Sequence, residues 1–407
     1  MKIYFKITII SLILLFSINE IKSQSTDKMI IIIIDGARYT ETLGDPSHSY
    51  TPEMWNLASQ GTMVEQFKND GYTYTSRAIP ALWCGTWTDV RDTTYQNSST
   101  RYAVEPTLFE YYRKQRNMPE EECVYVLIEL ESLWLPSFNS HYGPDFWPKF
   151  HSVGHSDSEV AEQAKIIIDE LHPHLMWVYL ADVDHAGHSG NWSEYTSAIS
   201  NADAIVGDLW RYIQADPFYK DATTLFITND HGRHDNQHGG FQGHGDNCNG
   251  CRHIEFLAVG PSIKENYVSQ IARNTPDMAV TAAYLLGVEP EYATGNIMQE
   301  IFKPNGVEEE FKQITNMDNY PNPFHSSTNI RFQLAKAGQV NMTIFDITGK
   351  EIYTIQNYMA NQGENTLEWD ATNKQGKQVP PGIYFYQLQS DGQEKVGKLL
   401  LLGKNSN

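Results

Sequence analysis

Residues 228–251, TNDHGRHDNQHGGFQGHGDNCNGC, place four histidines, three aspartates and a CxxC pair in one stretch. Imidazoles mixed with carboxylates are the donor set of zinc or a related divalent ion, whereas an all-oxygen set would suit magnesium or calcium. A histidine-rich tract can equally be a solvated low-complexity loop, so the reading depends on partners elsewhere in the chain. Asp35-Gly36 closes the apolar run MIIIII, and in DVDHAGHSG (182–190) Asp184 and His188 stand four residues apart. Asp230-His231-Gly232 opens the histidine-rich stretch, with His234, His238 and His244 beyond it. Each of these residues alone reads as a helix cap or a solvated loop residue. Together they exceed the needs of one ion. Two ions about 3.5–4 Å apart would share them and stabilise both the attacking and the leaving oxygen of a phosphoryl displacement.

The elements around these residues explain why they recur. MIIIIID (29–35) is an unbroken β-branched run, the mark of a central parallel strand covered on both faces. Similar runs occur at CVYVLIEL (123–130), HLMWVYLAD (174–182), TTLFITND (223–230) and IEFLAVG (254–260), with helical stretches at 158–171, 193–214 and 275–288 between or after them. Strand and helix in alternation predict βαβ units and an α/β/α sandwich on a mostly parallel sheet. In such sheets ligands bind beyond the carboxyl ends of the strands, which is where Asp35, Asp184 and Asp230 fall. From about residue 303 the chain turns polar, predicting a linker over 305–317. Beyond it, short alternating strands such as NIRFQL, QVNMTIFDI and GIYFYQLQ predict a small β-sandwich over 318–407.

The chain has 407 residues and a formal net charge of −20. That charge argues against binding to a nucleic-acid scaffold or an anionic membrane surface. Residues 1–23, MKIYFKITIISLILLFSINEIKS, have the charged start, short apolar run and polar end of a signal peptide, which predicts export and a catalytic domain over 24–304. The apolar run is short for a membrane span of about 20 residues, so no permanent span is expected. In an exported protein Cys248 and Cys251 could close a disulfide loop, and a lone CxxC is weak evidence for structural zinc. Asn97 and Asn191 lie in glycosylation sequons, which mean little without a glycosylating host.

IIIIDGAR, DVDHAGHSG and TNDHG followed by GHGD resemble the metal-binding motifs of the alkaline phosphatase superfamily, in particular its nucleotide pyrophosphatase/phosphodiesterase-like branch, over roughly residues 28–302. The resemblance implies two divalent ions, zinc by donor type. Asp35, Asp230 and His231 would hold one together with the nucleophile; Asp184, His188 and His244 would hold the other. His244 is preferred to His238 because His244-Gly245 leads into a strand ending at Gly260-Pro261, as in the family. The nucleophile is expected on a helix start within NDGYTYTSRAIPALWCGTW (69–87). Thr75 has the family's spacing to Cys84-Gly85, and Thr73 is the alternative.

The implied chemistry is in-line attack by Thr75, a covalent phosphothreonine and its hydrolysis, with Arg38 and Arg77 as candidate phosphate contacts, each equally readable as a surface arginine. Residues 127–140, LIELESLWLPSFNS, hold no lysine or arginine to clamp a doubly charged monoester, which favours phosphodiesters as the small-molecule substrates. Trp55, Tyr72 and Trp134 are candidates to stack on a base. The alternatives are a phosphomonoesterase, a sulfatase-like hydrolase (although no formylglycine pattern is in register), an inactive surface binding protein, or an adhesin acting through its β-sandwich. Finally, NYPNPFHSSTNIRFQL, VNMTIFDITGKEI and PPGIYFYQL resemble the C-terminal sorting domains of the type IX secretion system, over about residues 318–402. That resemblance implies the secretion machinery as a partner and delivery to the cell surface or medium.

Overall fold

The computed structural model describes residues 26–128, 134–304, 314–334, 336–390 and 393–403. The signal-peptide reading of residues 1–23 and residues 129–133 of the acidic loop lie outside them. The described residues form two compact units that divide between Lys303 and Pro304.

The first unit is built on an eight-stranded sheet. Its order is Tyr267–Ser269, Thr62–Val64, Phe256–Val259, Thr223–Thr228, Lys28–Ile34, Leu175–Leu180, Cys123–Leu127 and Lys149–Ser152. The isoleucine run is the central strand, paired in parallel with Thr223–Thr228 on one side and Leu175–Leu180 on the other. All five of its isoleucines are buried, because helices cover both faces of the sheet. Each such side chain contributes about 1.5–3 kcal/mol by leaving water.

The sheet is mixed. IEFLAVG, read as one more parallel strand, forms Phe256–Val259 and pairs antiparallel with both neighbours. The reversal has a simple cause. The loop 229–255 between it and Thr223–Thr228 contains only a four-residue helix, Asn249–Arg252, and no crossover helix to carry the chain back to the other end of the sheet, so the strand returns antiparallel.

Helices Asp157–Leu171, Trp192–Ala215 and Thr275–Leu286 form where the apolar periodicity places them. A hairpin, Val90–Tyr95 with Ser98–Ala103, turns at Gln96 and Asn97, both at positive φ, and adds Trp134–Leu135 as a third strand. Among the described residues no helix is long and apolar enough to cross a membrane.

The second unit is a β-sandwich of a three-stranded and a four-stranded antiparallel sheet. Thr328–Leu334 alternates buried and exposed residues along most of its length, and Phe332, Trp369, Tyr386 and Leu388 are among its buried core. One strand differs from expectation. Ile314–Tyr320 begins inside the segment read as linker and pairs with Thr328–Leu334, Ile314 opposite Leu334. Its sequence, ITNMDNY, is too polar to show as a strand, and a register shift between Thr315 and Asp318 breaks the alternation further.

Candidate active site

Three adjacent strands deliver the site. Lys28–Ile34 ends at Asp35, Thr223–Thr228 runs on to Asp230 and His231, and Leu175–Leu180 leads into helix Asp182–Ser189. Asp184 and His188 share one face of that helix, His188 Nε2 lying 3.2 Å from Asp184 Oδ2. Gly36 sits at φ +68°, and a Cβ there would lie 2.5 Å from Asp184 Oδ1, so only glycine lets the first strand turn this close to the second carboxylate. Asn229 ties the turn after Thr223–Thr228, with Nδ2 donating to Ala37 O (2.7 Å) and His231 O (2.8 Å).

Two groups of metal-type donors result, Asp35 with Asp230 and His231, and Asp184 with His231 and His244. Within each group the ligand atoms lie within 4.8 Å of one another. His188 joins the second, its Nε2 3.1 Å from that of His244.

The two inner imidazoles are oriented from behind. His231 Nδ1 lies 2.9 Å from Gly232 O and His244 Nδ1 3.1 Å from Thr73 O. A carbonyl only accepts, so each Nδ1 carries a proton, and in the neutral ring each Nε2 presents a lone pair forward. His231 Nε2 then faces Asp35 Oδ1 and Asp230 Oδ2, each at 3.4 Å. Asp230 Oδ2 is buried without a hydrogen-bond partner. Lone pairs meeting lone pairs in a buried setting lack a cation, so these residues fit a divalent metal.

The electrostatics agree. Burial, then Asp230 and Asp184, push the Asp35 carboxyl well up, and burial pushes Asp230 up to about 7. Burial also pushes on Asp184, but His231, Arg233 and His244 together hold it below the usual carboxylate range. His244 is driven down to about 4 by burial and then by His231, which keeps it neutral and able to ligate.

Thr75 is the first residue of helix Thr75–Cys84, which ends at Gly85 in the left-handed region. Its Oγ1 lies 3.2 Å from His231 Nε2 and 3.4 Å from Asp35 Oδ2, in the mouth of the first donor group. Thr73 is turned away, its hydroxyl donating to Asp246 O at 2.7 Å. His238 also stands apart, paired with Asp235 at 2.7 Å and half exposed.

The two candidate phosphate contacts are engaged elsewhere. Arg38 is buried, its guanidinium held by both oxygens of Glu41 and by His234 O and Asn236 Oδ1, so it shapes the loop rather than the site. Arg77 donates to Thr88 O and lies 4.2 Å over the ring of Tyr72. Tyr72, 44 % exposed, meets Tyr74 and Trp87 edge-on and gives the Thr75 helix an aromatic rim. Trp134 packs edge-on against Tyr179, whereas Trp55 stacks on His48.

Two residues that position the ligands escape a sequence reading. Tyr179 donates its hydroxyl to Asp35 Oδ2, and Arg233, fully buried, donates to Asp184 Oδ1 and to Phe241 O and Gln242 O. Arg233 follows Asp230-His231-Gly232 directly, yet only the fold turns it inward. A faint signal is Gly187, where a Cβ would lie 2.4 Å from the Arg233 guanidinium carbon.

A sheet that gathers carboxylates and imidazoles beyond its carboxyl ends is the architecture of the alkaline-phosphatase-like hydrolases. The fold is similar to murine ectonucleotide pyrophosphatase / phosphodiesterase 5 (TM-score 0.51, 15 % identity, 68 % of this chain and 100 % of that one). It is also similar to a protein of the alkaline phosphatase superfamily from Vibrio parahaemolyticus (TM-score 0.50, 15 % identity, 84 % and 83 %). Type I phosphodiesterase / nucleotide pyrophosphatase matches residues 29–343, and the chain belongs to that family, which makes it a hydrolase of ester bonds. The phosphopentomutase of Clostridium novyi (strain NT) is 29 % identical over 130 residues, 32 % of this chain; the chain spans 30 % of that relative's length. Residues 319–394 match the FlgD Ig-like domain, an Ig-like module distinct from the sorting domain expected from the sequence.

Proposed function

We propose that this protein is an exported, two-metal phosphoesterase that acts on phosphodiesters through Thr75. The observation that carries the reading is the placement of Thr75 Oγ1 3.2 Å from His231 Nε2, where two buried carboxylates and a forward-facing imidazole lone pair converge. Asp35, Asp230 and His231 would hold one ion beside Thr75, and Asp184, His188 and His244 the other, zinc by donor type. When bound, such ions supply positive charge that favours the threonine alkoxide and offsets charge building on the phosphoryl oxygens. Thr75, at the helix start, would make the in-line attack. The bond from Oγ1 to phosphorus forms as the bond to the leaving group breaks, and water then cleaves the phosphothreonine. One relative's description is in keeping with this. The murine protein is described as inactive with a threonine exchanged for alanine, and as a complex with AMP.

The preference for diesters rests on the lack of lysine and arginine in residues 127–140, and the aromatic rim of Tyr72, Tyr74 and Trp87 would suit a base or an aromatic leaving group. The zinc-loaded full chain is expected to hydrolyse a chromogenic phosphodiester with kcat/KM at least about tenfold above that for the matching monoester or sulfate ester, a difference of about 1.4 kcal/mol in transition-state binding. A monoester or sulfate preference would overturn the diester reading, and the absence of metal-dependent turnover on all three would favour a binding protein.

Export rests on the composition of residues 1–23, and sorting by the type IX machinery on the sequence motifs between 318 and 402 alone, the family model that matches there being that of the FlgD Ig-like domain. Deleting residues 318–407 is then expected to leave the hydrolase inside the envelope of its host, measured by cell fractionation. Unchanged delivery to the surface or medium would refute a sorting role.

A further inference from the structure

The loop that carries His244 holds a second cluster of ligating side chains, separate from the two donor groups above. Its six members are His234, Asp235, His238, Asp246, Cys248 and Cys251. His234, Asp246 and Cys251 offer ligand atoms within 4.8 Å of one another, and so do Asp235, His238 and Cys248. The two halves meet at the CxxC. The thiols of Cys248 and Cys251 interact with each other and both with the Asp246 carboxylate, and Cys248 N donates to Asp246 Oδ1 at 2.8 Å. All four cysteines are free, and Cys251 is completely buried. His234 Nε2 is also buried and makes no hydrogen bond, although it lies 3.4 Å from Asp246 Oδ2. Gly243 closes the loop over this ring, since a Cβ there would lie 2.9 Å from His234 Nδ1, and the loop's two sides are joined by His234 N donating to Gly243 O at 2.8 Å.

We propose that His234, Asp246, Cys248 and Cys251 form a structural zinc site that locks the loop bearing His244. Two thiolates, one imidazole and one carboxylate complete the four-coordinate set that zinc favours in closed sites. A soft thiolate pair selects zinc over magnesium or calcium. Loading is balanced by release of two thiol protons to solvent, leaving both sulfurs as thiolates on the ion. Asp235 and His238, bonded at 2.7 Å, flank the site beside Cys248 as its outer support. A disulfide between the two cysteines would use none of these other groups and would leave His234 Nε2 buried without a partner.

The site bears on catalysis through short links. Asp246 lies two residues from His244, its carbonyl accepts from Thr73 Oγ1 at 2.7 Å, and Thr73 O in turn orients the His244 ring at 3.1 Å. Thr73 is two residues from Thr75.

The test uses the full chain reconstituted with cobalt, which replaces zinc and gives a strong thiolate-to-metal charge-transfer absorption in the near ultraviolet. The Asp/His donor groups contain no sulfur, so that band reports on this site alone, whatever becomes of the phosphodiesterase reading. The wild type is expected to show the band, and Cys248→Ser with Cys251→Ser to lose it together with one equivalent of zinc per chain. His234→Gln, which keeps both thiols, is expected to retain the band while zinc dissociates at least about tenfold more readily, since loss of even an outer support costs that much. It also keeps the proposal testable if the double variant does not fold. A cobalt-loaded wild type without the band, or an intact mass two hydrogens low with no titratable thiol at 248 and 251, would overturn it, the latter in favour of a disulfide.

Discussion

Thr75→Ala is expected to reduce kcat on any phosphate ester by about a thousandfold or more while leaving the fold and the metal content unchanged. Loss of a nucleophile removes the covalent route itself, and in a hydrolase with such a residue the cost reaches about a millionfold, the remainder coming from binding and electrostatic stabilisation. Thr75 begins its helix, and its hydroxyl reaches Asp35 and His231 rather than the backbone, so alanine costs little in stability there. Thr75→Ser keeps an oxygen at the same place and should retain part of the activity. The discriminating control is Thr73→Val. It removes the bond to Asp246 O, worth about 1 kcal/mol, and leaves the attacking group in place. Single-turnover kinetics on the three variants decide the matter. If Thr73→Val abolishes turnover while Thr75→Ala does not, the nucleophile has been assigned to the wrong threonine.

Asp230→Asn is expected to change stability and activity in opposite directions. In the metal-free protein Asp230 is buried beside Asp35, and its carboxyl is pushed up to about 7. A carboxyl whose pKa rises on folding holds its proton more tightly when folded. Its stabilising protonation is therefore complete below the unfolded value of 3.8 and lost as pH rises through about 7. Above that range the ionised carboxylate opposes folding, and asparagine relieves the opposition. With chelator present at pH 8, Asp230→Asn should be more stable than the wild type by roughly 1–4 kcal/mol, and the gain should vanish towards pH 4. With metal supplied the order reverses, because the wild type gains binding free energy that the variant lacks, and activity should fall by about a thousandfold. Thermal unfolding at both pH values, with and without chelator, tests this. A metal-free variant no more stable than wild type at pH 8 would mean that Asp230 is already neutralised by protein groups.

The same residues mark where sequence reading succeeds and where it stops. The unbroken run of isoleucines could only be a strand covered on both faces, and it is the central one. The four-residue spacing of Asp184 and His188 needed only a helix to bring them together, and the helix is there. By contrast, the antiparallel course of Phe256–Val259 and the strand at Ile314–Tyr320 depend on the course of a loop and on pairing partners, neither of which composition reveals. Arg38 misled for a related reason. Its charge and its place after Asp35-Gly36 suggest a ligand contact, but Glu41, one helical turn on, captures the guanidinium.

Residue type and strand-end position are local properties, and they were enough to nominate Asp35, Asp184, His188, Asp230, His231, His244 and Thr75. Direction is a tertiary property. That His231 and His244 turn Nε2 forward follows from carbonyls at Gly232 and Thr73, that Thr75 faces the carboxylates while Thr73 faces Asp246 follows from where the helix begins, and that Arg233 lies under Asp184 follows from the gap left by Gly187. Side-chain orientation is set by the groups packed behind it, and those come from segments far away in the chain, 171 residues in the case of His244 and Thr73.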